Sequence, residues 1–437
     1  MIRFALAAVA VLFAAIPARA AVYIQEITSP GGITAWLVEE HTIPFAALEI
    51  RFKGGGTLDA PGKRGAVNMM TGLLEEGTGD LDAQAFAAAR ESLAASFGFD
   101  ARDGSLSVSA RFLTENRDEA IGLLRGAMVE PAFDPDAIER VRAQILSILG
   151  SEAKDPNEIA RRTFDELAFG DHPYGSQING TPESVAALTR DDLLAAHRAT
   201  MARDRVFVGA VGDITPEELG ALLDTVLGDL PETGAPQVDR APNLLSGGVT
   251  VVPFDTPQSV LLFGHEGITR DDPDFFAAFV ANQILGGSGL RSRLTREVRV
   301  NRGLTYGIGS YLVNMDQADL VLGQTSTVNA RVSESLDVIR DQWADIAENG
   351  VTEDELNEAK TFLTGSYPLR FDGNGPIARI LAGMQMQGLP IDYVATRNDR
   401  VDAVTMEDVR RVAARIYRPD DLHVVIVGEP EGLEASN

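Results

Sequence analysis

The sequence predicts an α+β protein built as two homologous halves, and three observations carry that expectation. Residues 189–212 and 405–428 align without a gap at a constant offset of 216 residues. Each copy reads as a helix capped by threonine (Thr189, Thr405), followed by an apolar strand that ends in glycine (Gly212, Gly428). A weaker echo joins 136–145 to 354–363. With 437 residues, 45% of them hydrophobic and 23% charged, the chain is globular and too long for one ordinary core. Between the two copies, residues 231–248 are rich in proline, glycine and polar side chains. They read as a linker between an N-terminal domain at 21–230 and a C-terminal domain at 249–437.

The first twenty residues stand apart. Arg3, an apolar run over 4–16, Pro17 and then Ala18-Arg19-Ala20 have the pattern of a secretory leader, with cleavage expected after Ala20. That predicts a periplasmic or extracellular protein. No later run reaches eighteen apolar residues, so no membrane span is expected. Strands are expected at 22–26 and 33–38, around the Pro30-Gly31-Gly32 turn, and at 45–53, where Gly54-Gly55-Gly56 breaks the pattern. Helices at 65–76 and 82–95 precede a strand pair, 98–102 with 105–113, turned at Asp103-Gly104. Helical periodicity then returns at 116–129, 134–149 and 157–169.

The chain contains no cysteine, so packing and not disulfides must hold it together. Its formal charge of −26 deepens by two when Arg3 and Arg19 leave with the leader. A field of that sign repels nucleic acid and anionic lipid and favours basic partners or peptides.

Chemistry concentrates in residues 285–312. Gly286, Gly287 and Gly289 form a breaker cluster, Leu290, Leu294 and Val298 have helical spacing over 290–300, and Gly303 stops the helix. A strand is expected over 304–312, with Tyr306 on the same face as Leu304 and Ile308. Arg299 and Tyr306 lie seven residues apart across a glycine turn, so their side chains can converge. A guanidinium and a phenol are hydrogen-bond donors suited to a peptide carbonyl or its tetrahedral oxyanion. On periodicity alone the pair also reads as a half-buried core tyrosine and one solvated basic residue among several.

Two halves of this length, the stretch 65–78 (GAVNMMTGLLEEGT), His172-Pro173-Tyr174-Gly175, Arg299 to Tyr306 and the repeated helix-strand-glycine together resemble the pitrilysin/insulinase family of zinc metallopeptidases. The likeness is to its processing-peptidase-like short-chain branch. It implies an αβ-roll in each half, an antiparallel sheet with helices packed on one side. It further implies an inverted His-x-x-Glu-His motif on the helix at 65–76, where two histidines hold zinc and the glutamate activates water. Here those positions are Asn68, Thr71 and Gly72, which neither ligate zinc nor act as a base. A distal glutamate ligand would fall at Ile148 or Leu149, both apolar. The five histidines, His41, His172, His197, His265 and His423, are scattered. This chain is therefore expected to hold no metal and to have no cofactor of its own.

The resemblance also matches Arg299 and Tyr306 to an arginine and tyrosine that contact the substrate carbonyl, and Gly286, Gly287 and Gly289 to a glycine-rich loop. Short-chain members can divide zinc and donor pair between two subunits. The expectation is thus a non-zinc-binding subunit of a periplasmic zinc endopeptidase, donating Arg299 and Tyr306 to a zinc-carrying His-x-x-Glu-His partner. Peptide substrates would add to an edge strand, for which Phe97, Gly98, Phe99 and Asp100 are the candidates. Two other readings fit secretion and acidity: a peptide-binding or assembly protein without a peptidase partner, and a two-lobed solute-binding protein.

Overall fold

The computed structural model describes residues 23–433, so the leader expected at 1–20 lies outside the described residues. Two sheets organise the chain. The first runs Gln25–Thr28, Thr34–Glu39, Val206–Gly212, Phe45–Lys53, Ser105–Leu113, Ser96–Ala101 from edge to edge. The second runs Ile308–Asn314, Asp319–Val328, Gln258–Glu266, His423–Gly428, Gly248–Pro253. Both are mixed. All neighbours are antiparallel except one pair in each sheet: Thr34–Glu39 with Val206–Gly212, and Gly248–Pro253 with His423–Gly428.

The sequence repeat is the part that closes each sheet. Helices Arg190–Thr200 and Met406–Ile416 open with reciprocal caps, Thr189 with Asp192 and Thr405 with Asp408. Each then leads into a strand that sits inside its sheet, parallel to the first long strand of its half, because a helical crossover returns the chain to the same end. Both strands end in glycines of positive φ, +137° at Gly212 and +154° at Gly428. A side chain there would strike the Phe45 carbonyl or Ser259, so glycine is obligatory on two counts.

Alternation along the strands divides the cores. In the second sheet Leu261, Phe263, Val424 and Ile426 face their own helices and pack with Leu285 and Trp343, whereas Val260, Leu262, Val425 and Val427 face the other way. That other face is covered by helix Pro156–Phe169 of the first half, through Phe164 and Phe169. Reciprocally, helix Asn374–Met386 of the second half lays Ala378, Leu381 and Met384 on Trp36, Ala47 and Val211 of the first sheet. Each half thus builds its own helical layer on one side and receives one helix from the other half on the opposite side. Burial on both faces is why the 423–428 strand is apolar at nearly every position.

The expected linker is strapped down: Gln237 Nε2 donates to the Lys53 carbonyl (3.0 Å), the Ala241 amide to Gln317 (2.8 Å) and the Leu244 amide to Ala168 (2.9 Å). Gly248, placed in the linker by composition, begins a strand. No helix among the described residues is long and apolar enough to cross a membrane.

The exchanged helix Pro156–Phe169 carries a half-buried carboxylate, Asp165. Burial pushes the Asp165 pKa up to about 7, with Asp103 and Glu158 adding to the effect and Arg161 opposing it. A raised carboxylate retains its proton in the fold, so its contribution to stability is complete below about pH 4 and is lost as pH rises through about 7. Asp165→Asn is expected to raise stability at pH 8 by on the order of 2 kcal/mol and to leave it unchanged below about pH 4. Thermal melts at the two pH values check this.

Candidate functional site

Helix Ala66–Leu73 is the element on which the family resemblance places a metal. Asp59 fixes its start, accepting from the amides of Gly65 (2.9 Å) and Val67 (2.8 Å). Ala66, Val67, Met69, Met70 and Leu73 bury into the first core. The three motif positions have separate fates. Asn68 is half-buried, and its amide nitrogen donates to Asn179 Oδ1 (2.8 Å), whose own amide donates to Glu152 Oε1 (2.7 Å). Thr71 is only 2% exposed. Its hydroxyl is spent on the Val67 carbonyl one turn back (2.8 Å). Gly72 is exposed.

Ile148 is half-exposed and Leu149 packs on the core, so neither position offers a ligand. The carboxylate that does reach this region, Glu152, escaped sequence reasoning. Helix Pro135–Glu152 runs three residues past the expected end at 149, and Glu152 shares a face with Ile148, one turn on. Burial raises its pKa, and nearby Glu158 adds to this against the Asn179 hydrogen bond. Two amides, one carboxylate and a hydroxyl tied to its own helix do not fit a zinc site, which needs imidazole or thiolate donors beside carboxylate. Among the described residues no group of three or more His, Cys, Asp and Glu is placed to hold a metal ion.

The histidines are engaged elsewhere. His41 bonds Asp213 (2.8 Å), His172 the Asp239 carbonyl (3.1 Å), His197 the Met128 carbonyl (2.7 Å) and His423 the Ser246 carbonyl (2.9 Å). His265 accepts from Trp343 Nε1 (2.9 Å), and burial drives its pKa down to about 4.

The 285–312 stretch is built differently from its periodicity. After one short α-helical step it forms a π-helix, Thr295–Val300, in which the Asn301 amide reaches the Arg296 carbonyl five residues back (2.9 Å). Wide turns of this kind recur at functional sites. The strand expected from Leu304 begins only at Ile308. Residues 304–307 form a loop held from below by threonines. The Thr327 hydroxyl donates to the Leu304 carbonyl (2.7 Å), and the Thr325 hydroxyl lies 2.9 Å from both the Thr305 oxygen and the Gly307 carbonyl. Thr305 itself accepts from the Gly307 amide (3.1 Å).

Tyr306 therefore stands out of the fold at 86% exposure instead of joining Leu304 in the core. Leu304 and Thr305 are buried beside it, so the loop is fixed while the phenol is free. Arg299 is exposed at the end of the π-helix. It lines a cavity of about 600 Å³ with Asn282, Gln283, Gly287, Gly309 and Tyr311. Asn282 secures that wall by a reciprocal pair with Ser310, donating to its carbonyl (3.0 Å) and accepting from its hydroxyl (2.9 Å). The glycine cluster at 286–289 borders the same cavity. Among the described residues the Arg299 and Tyr306 side chains have no hydrogen-bond or ion-pair partner, whereas Arg293, Arg296 and Arg302 in the same stretch are paired to carboxylates.

Ser96–Ala101 is an edge strand of the first sheet, paired only to Ser105–Leu113. Phe97 is buried against Phe86 (ring centroids 6.4 Å), Gly98 and Phe99 are half-buried, and Asp100 is exposed. The free side of this strand presents backbone donors and acceptors to which an extended chain can add.

Two interlocked α+β halves, with a motif helix that lacks metal ligands and a second half that keeps an unpaired arginine and tyrosine, define a metallopeptidase scaffold without its zinc-binding set. Residues 187–363 match the family described as Peptidase M16 inactive domain. The chain resembles the crystal structure of a peptidase M16 inactive domain from Pseudomonas fluorescens, with 28% identity and a TM-score of 0.87 over 95% of this chain and 99% of that one. It is 27% identical over 390 residues to the Helicobacter pylori protein named non-peptidase homolog YmxG, covering 89% of this chain and 90% of the relative. It is also 26% identical over 429 residues to the uncharacterized zinc protease SCO5738 of Streptomyces coelicolor, covering 94% and 91%. The chain is thus similar, over most of its length, to members of the pitrilysin/insulinase (M16) family.

Proposed function

We propose that this chain is the zinc-less subunit of a two-chain zinc endopeptidase, acting in the periplasm, and that it supplies Arg299 and Tyr306 to an active site whose metal and water-activating glutamate belong to a His-x-x-Glu-His partner. One observation carries the reading. Asn68, Thr71 and Gly72 stand at the metal positions, while two donors remain unpaired, Arg299 at the end of the π-helix and Tyr306 on a loop that buried threonines hold. Exposed donors with no partner of their own are suited to a group that arrives from outside. A preset donor aimed at a developing oxyanion is worth about 3–4 kcal/mol, whichever chain carries it. The relative named a non-peptidase homolog supports the inactive half of this division. A peptide substrate in this arrangement extends along the free edge at Phe97, Gly98, Phe99 and Asp100, as main-chain hydrogen bonding at a sheet edge allows.

The test begins with the chain alone. Purified without its leader, it is expected to retain far less than one equivalent of zinc and to leave unstructured peptides intact. Adding a His-x-x-Glu-His member of the family from the same cell is expected to produce hydrolysis that exceeds that of the partner alone. Stoichiometric zinc in the isolated chain, or no gain on mixing, would count against the proposal.

A further inference from the structure

Four arginines that form no ion pair among the described residues meet in a second cavity, which no part of the proposed peptidase role uses. It measures about 510 Å³ and is lined by Arg51, Arg270, Arg370, Arg379 and Arg397 together with aromatic walls that include Phe276 and Phe371. No aspartate or glutamate lines it, in a chain whose carboxylates outnumber Lys and Arg by 64 to 38. Among the described residues only Arg51 of these is ion-paired, to Glu49 at 3.0 Å, and the same carboxylate acts on Arg379 at longer range.

Arg397 is the most exacting member. It is 5% exposed, and its hydrogen bonds go to neutral acceptors, the Leu363 carbonyl (2.7 Å) and Asn398 Oδ1 (2.9 Å). Its guanidinium lies over the rings of Tyr367 (4.5 Å) and Phe279 (5.3 Å), and that of Arg270 lies over Phe275 (4.5 Å). Burial lowers the Arg397 pKa, the Tyr393 and Tyr367 phenols oppose this, and Arg370 and Arg270 lower it further. Aromatic faces offset part of the cost of a buried cation. They do not supply the counter-charge that a desolvated guanidinium beside two others calls for.

The geometry points to a binding site for a multivalent oxyanion, with its carboxylate or phosphate oxygens on Arg270, Arg370, Arg379 and Arg397 and its organic body against Phe276 and Phe371. The guanidinium fork matches both oxyanions, and the cavity lies within the roughly 300–1,000 Å³ range of small-ligand sites. Two sources share this chemistry: a free phosphate-bearing molecule and the acidic side chains of a peptide. Arg379 belongs to the exchanged helix Asn374–Met386, whereas Arg397 belongs to helix Tyr393–Asp402 against the second core. The bound anion would therefore bridge the place where the halves interlock. Phe279 lines both this cavity and that of Arg299, so the two sites are neighbours.

Calorimetric titration of the full mature chain at physiological ionic strength, with inorganic tripolyphosphate and separately with triglutamate, tests the assignment. Saturable one-site binding of at least one probe is expected, weakened at least about tenfold in Arg370→Ala/Arg379→Ala. Both of those side chains are exposed and neither forms an ion pair among the described residues, so the melting temperature should hold. If the double variant melts early, the single variant Arg370→Gln provides the comparison. Binding of tripolyphosphate alone assigns a free phosphate ligand, and binding of triglutamate alone assigns peptide carboxylates. No saturable binding of either probe, or binding unchanged by the substitutions, overturns the site.

Discussion

Arg299→Ala and Tyr306→Phe are each expected to cut peptide hydrolysis by the proposed two-chain enzyme by about 10²–10³-fold, without changing the melting temperature of this chain. The stability half of that expectation rests on exposure. Tyr306 is 86% exposed and bonds nothing, and Arg299 forms no ion pair, so neither substitution removes a native contact of consequence. The catalytic half rests on preorganisation. The loop carrying Tyr306 is stitched to the Asp319–Val328 strand through Thr325 and Thr327, so a donor placed there loses little entropy on meeting a reacting carbonyl. A group that acts only on the oxyanion lowers kcat and kcat/KM together and leaves KM alone. Full activity with both substitutions in place would remove these residues from the mechanism.

Arg293→Ala should do the opposite, destabilising the C-terminal half while touching no substrate. Arg293 is buried where the 285–312 stretch meets the long helices. It forks onto Glu355 (2.8 and 2.7 Å), reaches Asp345 (2.9 Å) and donates to the Gly350 carbonyl (2.9 Å). Removing one partner of such a network leaves Glu355 desolvated and uncompensated, a loss of about 3–5 kcal/mol. The same group gives a pH signature. Burial alone would raise the Glu355 pKa, but Arg293 and the Thr352 amide override it and hold it down at about 2. A depressed carboxylate stabilises the fold above its unfolded value near 4.5, and that contribution drains away as pH falls toward about 2. Acid titration of stability should show this decline in the native chain and a shallower one in Arg293→Ala. An unchanged acid limb would mean that the pair does not couple.

Legibility in the sequence followed locality. The Phe45–Lys53 and Ser105–Leu113 strands have the bounds that alternation and flanking glycines predict, because those signals lie within the strands. The repeat at 189–212 and 405–428 was readable because capping threonine, crossover helix and terminal glycine are consecutive. Alternation through Leu304 and Ile308 is genuine and predicts a strand at Tyr306. What removes it is a pair of threonines twenty residues downstream, which bond the backbone of 304–307 and keep it out of the sheet. Glu152 was missed for a related reason: its approach to Asn68 runs through Asn179, on another segment.

Order along the chain was enough to announce two α+β halves, a helix with no residues able to grip zinc, and an arginine and tyrosine seven positions apart. It was silent on the exchange of helices Pro156–Phe169 and Asn374–Met386 between the sheets and on the gathering of Arg51, Arg270, Arg370, Arg379 and Arg397 around one cavity. Periodicity reports which face of a helix is apolar and never which sheet that face meets. A charge reports its sign, while whether it is solvated, paired or waiting for a counter-ion depends on neighbours hundreds of residues away.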